Sequence, residues 1–152
     1  MIKNNDFYTA LSHSAADTER LGATLASEIY ENSDLPRFVA LYGDLGVGKT
    51  AFVRGFVSSV APNAVVKSPT FALVNEYRAG RVRLYHFDMY RISGEDDLYS
   101  IGFYDYIEGD AVCLSEWSEN IPFAIPEHHI AVTIEKTDVS TPDERKIEIR
   151  KS

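Results

Sequence analysis

The stretch "RFVALYGDLGVGKTAFVRGFVSSV", residues 37–60, decides the fold. Its first six residues are a short, mostly apolar run without alternation, the pattern of a strand buried on both faces. Gly43, Gly48, Lys49 and Thr50 then fit the phosphate-loop pattern G-x-x-x-x-G-K-[ST]. With glycine at roughly 7% of residues, that pattern arises by chance on the order of once in 10⁴ to 10⁵ start positions. Phe52, Val53, Phe56, Val57 and Val60 mark one face of a helix that Pro62 stops. Strand, glycine loop and helix, in that order, are the context the motif requires.

The chemistry follows from that context. Backbone N–H groups of Gly43, Asp44, Leu45, Gly46, Val47, Gly48 and Ala51 line an anion nest that opens onto the positive end of a helix. Lys49 reaches the β- and γ-phosphates of a nucleotide as a point charge, and the Thr50 hydroxyl ligates magnesium. Turnover needs a further acid, typically at the end of a neighbouring apolar strand. Glu116, closing "AVCLSE" (111–116), fits that place, and Asp88, closing "LYHFD" (84–88), is a second candidate. Thr70, held behind Pro69 about 20 residues past the loop, stands where nucleotide switches place a γ-phosphate sensor. These residues leave open whether the nucleotide is hydrolysed, donates a phosphoryl group or is only held.

Outward from the loop the pattern stays α/β. Ser14 caps a helix marked by Leu21, Leu25 and Ile29, with Asp17 three residues on, and the helix ends near "ENSDLP" (31–36). Phe71, Leu73 and Tyr77 against Val82, Leu84 and Phe87 predict two strands joined by a turn at "RAGR" (78–81). "SGEDDLYSIG" (93–102) starts a short serine-capped helix, and "HHIAVTIE" (128–135) and "RKIEIR" (145–150) close the chain as strands. Tyr85, Phe87, Tyr90, Phe103, Tyr104 and Tyr106 are expected in core and helix–sheet seams. His86, His128 and His129 lack metal-ligand spacing and are read as structural. The expectation is a single domain over 1–152: an α/β phosphate-loop fold, a mixed sheet flanked by helices with antiparallel strands beside the central unit.

Composition bounds the partners. The net charge of −8, from 15 basic and 23 acidic side chains, argues against a protein that grips a nucleic-acid backbone by itself. Arg78, Arg81 and Arg83 form a small basic cluster, read as a solvated hairpin tip. One cysteine permits no internal disulfide, and the start "MIKNNDFYTALSHS" lacks the apolar stretch of a secretion signal, so a cytoplasmic location without membrane contact is expected.

Taken together, "GDLGVGKT", "KSPTFALVNEY", "LYHFDMYRI", "DLYSIGFYDYI" and "CLSEW" resemble the bacterial TsaE (formerly YjeE) family from about Ser14 to Glu135. That resemblance implies an ATPase of tRNA threonylcarbamoyladenosine modification that binds ATP or ADP with Mg2+. It also implies work alongside TsaB and TsaD, with tRNA contacted indirectly or weakly, and slow hydrolysis that resets the partner complex. Carried over by position, Lys49 binds phosphates, Thr50 and Glu116 serve magnesium, Thr70 lies in a switch-like segment and Asp88 matters for hydrolysis. Trp117 sits near the nucleotide and Thr18 near the adenine. Ser115 departs from the usual aliphatic residue before the glutamate, and the tail after Glu135 matches only loosely.

Three other readings compete. A GTP switch reads guanine through [NT]-K-x-D, of which "EKTD" (135–138) is a near miss, and no D-x-x-G occurs in the chain. A small phosphate-loop kinase needs an arginine-bearing lid and an acceptor pocket, for which 152 residues leave little room. A nucleotide-gated assembly module would need binding but no meaningful turnover.

Overall fold

The computed structural model describes residue 2 and residues 5–44, 46, 48–67, 69 and 73–152. Among them, twelve elements build one sheet with helices on both faces. β1 (Phe7–Ser12) leads into α1 (Ala15–Glu31), then β2 (Phe38–Tyr42), α2 (Lys49–Val60) and the hairpin β3 (Val74–Ala79) and β4 (Val82–Asp88). Two short helices, α3 (Glu95–Ile101) and α4 (Phe103–Glu108), precede β5 (Val112–Glu116). A single 3₁₀ turn (Ser118–Asn120), β6 (Ile130–Lys136) and β7 (Arg145–Lys151) complete the chain.

The sheet is mixed, in the order β1-β7-β6-β2-β5-β4-β3. Its centre is parallel: β2 pairs with both β6 and β5, and β5 with β4. Antiparallel pairing is confined to β6/β7, β1/β7 and the β3/β4 hairpin. Antiparallel strands therefore describe the two flanks and not the sheet as a whole. The central strands are apolar on both faces because both faces are covered. Val39 and Leu41 of β2 join the core under α1 and α2, while Phe38 and Ala40 join the one under α3 and α4.

Helix α1 is capped as its sequence requires. The Ser14 hydroxyl accepts from the Asp17 N–H, and the Asp17 carboxylate accepts from the His13 N–H. Against α2 it packs without side chains at two points. A Cβ on Gly22 would lie 2.2 Å from the Phe52 carbonyl oxygen, and one on Gly55 1.9 Å from the Glu19 carbonyl oxygen. Only glycine allows so close a backbone approach.

Several sequence expectations need correction. "FYTALS" forms the edge strand β1, which its residues do not announce. The strand expected from Phe71 begins at Val74, after Leu73 in a left-handed conformation; Phe71 itself lies outside the described residues. Serine does not cap α3: Gly94 occupies that place, and Asp97 instead accepts from the Ser93 N–H and hydroxyl. The aromatic run after Gly102 forms α4, whose Phe103 ring packs edge-on to Phe38 and Phe87. Tyr90 is not core, being 55% exposed and stacked on Trp117.

Candidate functional site

The glycine loop leaves the carboxyl end of β2, the strand at the middle of the parallel quartet, where open α/β sheets bind ligands. Gly46 and Gly48 have φ of 76° and 106°, conformations that L side chains resist, and Gly48 caps α2 directly. Helix α2 spans 12 residues, so its N-terminal dipole is fully developed at Lys49, Thr50 and Ala51. Asp44, Gly46 and Thr50 are exposed, Gly43 and Gly48 half-buried, and Ala51 buried. Leu45, Val47 and Thr70 lie outside the described residues.

Lys49 is buried at 6% exposure, which a lysine tolerates only with partners. Its Nζ donates to the Gly43 carbonyl at 2.5 Å and sits 3.9 Å from the centroid of the Trp117 ring. Trp117 follows β5 in a left-handed conformation (φ 57°) and opens the 3₁₀ turn. The ring of Tyr90 packs on Trp117 at 5.0 Å between centroids, extending an aromatic surface from the loop lysine to solvent.

Parallel pairing of β4 and β5 sets Asp88 opposite Glu116. Side chains alternate along a strand. His86, Asp88 and Glu116 therefore share the face of Leu84 and Leu114, the face covered by α1 and α2. Glu116 is buried, and its Oε2 lies 2.5 Å from His86 Nε2. The Asp88 Oδ1 accepts from the Tyr90 N–H. Burial pushes the Asp88 carboxyl above the ordinary range and the Glu116 charge adds to this, against the Tyr90 hydrogen bond and the His86 and Lys49 charges. Lys49, Asp88, Glu116, Trp117 and the loop thus meet at one end of the sheet. His86 joins them, a residue that sequence reading assigned a structural role. A buried histidine in an apolar strand carries no local signal of its partner; only the strand register supplies it.

Thr18 is 2% exposed, and its hydroxyl pairs with Ser12 Oγ at 2.7 Å. It borders a cavity of about 130 Å³ lined also by Ser14, Gly48, Ala51, Asp143 and Arg145. This places Thr18 beside the start of α2, on the far side of the loop from Glu116. A second cleft of about 680 Å³ runs past Tyr42, Asp44, Glu119 and Glu135. The arginine cluster is elsewhere. Arg81 and Arg83 line a groove of about 640 Å³ near the amino ends of β4 and β5, and Arg78 pairs with Glu76 on the exposed hairpin.

The donor set suits a phosphate and a hard cation. Among the described residues no three His, Cys, Asp or Glu side chains gather into a protein-only metal cage. Magnesium needs no such cage, because it keeps waters and leans on one or two protein oxygens plus phosphate. No helix among the described residues is long and apolar enough to cross a membrane.

Fold and site together define an α/β protein built around a phosphate-loop motif, with paired acids on the strands beside it. The profile described as threonylcarbamoyl adenosine biosynthesis protein TsaE matches residues 12–147, and the chain belongs to the TsaE family. The tRNA threonylcarbamoyladenosine biosynthesis protein TsaE of Haemophilus influenzae is 42% identical over 111 residues, 73% of this chain and 68% of that one. Its Bacillus subtilis counterpart is 38% identical over 109 residues, 72% of this chain and 66% of that one. The aligned stretch thus spans about two thirds of each relative. The crystal structure of Bacillus subtilis YdiB superposes with a TM-score of 0.76 at 26% identity, covering 95% of this chain and 85% of that one.

Proposed function

We propose that this protein is an ATPase serving threonylcarbamoyladenosine modification of tRNA, hydrolysing ATP slowly alone and faster with a TsaB–TsaD complex. The observation that carries the reading is the meeting of the loop lysine with two strand-end carboxylates. Lys49, Asp88 and Glu116 belong to three separate elements, and only the parallel order β2-β5-β4 brings them together. Family membership supports the biological setting, since relatives bear that name.

In this reading the loop backbone from Gly43 to Ala51 and the α2 dipole receive the phosphates. Lys49 exchanges the Gly43 carbonyl for phosphate oxygens, and Trp117 closes over its alkyl stem. Thr50 and Glu116 would hold magnesium, which would supply charge neutralisation of the transferring phosphoryl group. Asp88 orients the attacking water and takes its proton. Its raised proton affinity suits that task better than the Glu116 carboxylate, whose Oε2 is already engaged by His86. The products are ADP and inorganic phosphate. Thr70 would sense the γ-phosphate, and Thr18 would border the adenine from the small cavity beside Gly48. With a net charge of −8, contact with tRNA falls to the partners.

The test is phosphate release from ATP by the purified protein, alone and with TsaB plus TsaD, with Lys49→Ala as the blank. Slow release that rises with the pair, and is lost in Lys49→Ala and Glu116→Ala, is expected. ATP bound without release under either condition would favour a holding module, and phosphate found on an added acceptor would favour a kinase.

A further inference from the structure

We propose that His86 is a positioning residue, its imidazole N–H fixing the Glu116 carboxylate and so setting how tightly the site holds a divalent cation. The inference rests on the reading of Glu116 as the magnesium carboxylate. Four observations carry it.

The two side chains are almost wholly removed from solvent, at 2% exposure for His86 and 7% for Glu116, and they are joined at 2.5 Å. A glutamate buried to this degree without a donor would be costly, so the bond is structural in the first instance. The geometry, however, is not that of register partners. Glu116 stands opposite Asp88, and His86 stands opposite Leu114. The Glu116 side chain therefore reaches back along the sheet to its diagonal neighbour. That draws the carboxylate away from Asp88, the like charge directly across from it.

His86 Nδ1 is buried and has no hydrogen-bond partner among the described residues, so the ring's one contact of this kind is with Glu116. The imidazole Nε2–H donates to Glu116 Oε2, a carboxylate oxygen that only accepts. With Oε2 held by His86, Glu116 Oε1 remains as the acceptor that no described residue is seen to occupy, presented from a side chain fixed at its other oxygen. Partners of this kind, one step removed from the metal, are worth about 10- to 100-fold in metal affinity.

The experiment measures ADP binding by calorimetry in EDTA and across a magnesium chloride titration. His86→Leu is expected to keep ADP affinity in EDTA within twofold of the wild type. The half-saturating magnesium concentration should rise about 10- to 100-fold. His86→Gln, whose amide N–H reaches to about the same distance, should recover most of that loss. An unchanged magnesium midpoint in His86→Leu overturns the proposal. So does an equal loss of ADP affinity with and without magnesium, the mark of a scaffold role. If His86→Leu does not fold, His86→Asn takes its place, since its amide falls short of the carboxylate; equal midpoints for Asn and Gln then overturn it. Failure of the underlying reading looks different: wild-type protein would ignore magnesium, or Glu116→Ala would keep the wild-type midpoint.

Discussion

Replacing Gly55 by alanine tests the packing of α1 against α2, the helix that follows the glycine loop. The new Cβ would stand 1.9 Å from the Glu19 carbonyl oxygen, where real contacts do not fall below 3.0 Å, so α1 and α2 must part by more than 1 Å. The obstacle is backbone, which cannot swing aside. Overpacking typically costs 1–3 kcal/mol, and a main-chain clash belongs near the top of that range. Alanine's better helix propensity returns about 1 kcal/mol. A net destabilisation of roughly 2 kcal/mol remains, and at about 2–4 °C per kcal/mol for a chain of this size the melting temperature should fall by roughly 4–8 °C. Gly22→Ala, at 2.2 Å from the Phe52 oxygen, should behave alike, while Gly94→Ala meets nothing within 4 Å and serves as the control. Thermal unfolding followed by far-UV circular dichroism reads all three. A Gly55→Ala melt within a degree of wild type would refute the claim that α1 and α2 touch through bare backbone.

Three further outcomes are expected. Trp117 is the only tryptophan and lies under the Lys49 ammonium, so ATP should change its emission in wild-type protein and leave it unaltered in Lys49→Met; a response preserved in the variant would argue against displacement of the lysine. Burial raises the Asp88 pKa on folding, so its ionised form opposes folding above the unfolded value of about 4 and the cost disappears below it. Metal-free Asp88→Asn should therefore melt higher than wild type at pH 7, with the gain fading as pH falls toward 3, and a lower melt at pH 7 would reverse that sign; the same variant should lose ATP turnover. Burial pushes the Cys113 thiol up to about 12, so native protein at pH 8 should resist iodoacetamide and react only when unfolded in urea, whereas labelling at a free-thiol rate would place it at the surface.

What was legible in the sequence was what local chemistry decides. The β2–loop–α2 unit rests on a contiguous apolar run, a glycine motif and an apolar helical face, and each can be read without knowing what packs on it. The Ser14 cap is local in the same way. By contrast, β1 is a strand because β7 pairs with it; half of its side chains face water, and its six residues bury only Ser12 fully. Helix α4 is short and aromatic, held by edge-on rings of Phe38 and Phe87 that come from β2 and β4. At α3 Gly94 holds the cap position, and Ser93, one residue earlier, donates its N–H and hydroxyl to the Asp97 carboxylate instead of accepting a helix N–H. Glu116 and Asp88 were visible as acids at strand ends, yet that they face one another is a property of parallel register. His86 was hidden for the same reason, its partner lying 30 residues away.

The pairing at the sheet's edge also orders events in time. β1 precedes the other six described strands in the chain, and its one neighbour among them is β7, with Phe7 opposite Arg150. On the ribosome the phosphate loop, both acids and the helices of α1 and α2 emerge while that first strand still has nothing to pair with. An exposed strand awaiting a distant partner is an invitation to the wrong one. The nascent chain thus completes β2, the glycine loop and α2 before β1 can settle, and the seven-residue β7 is what releases it from that wait.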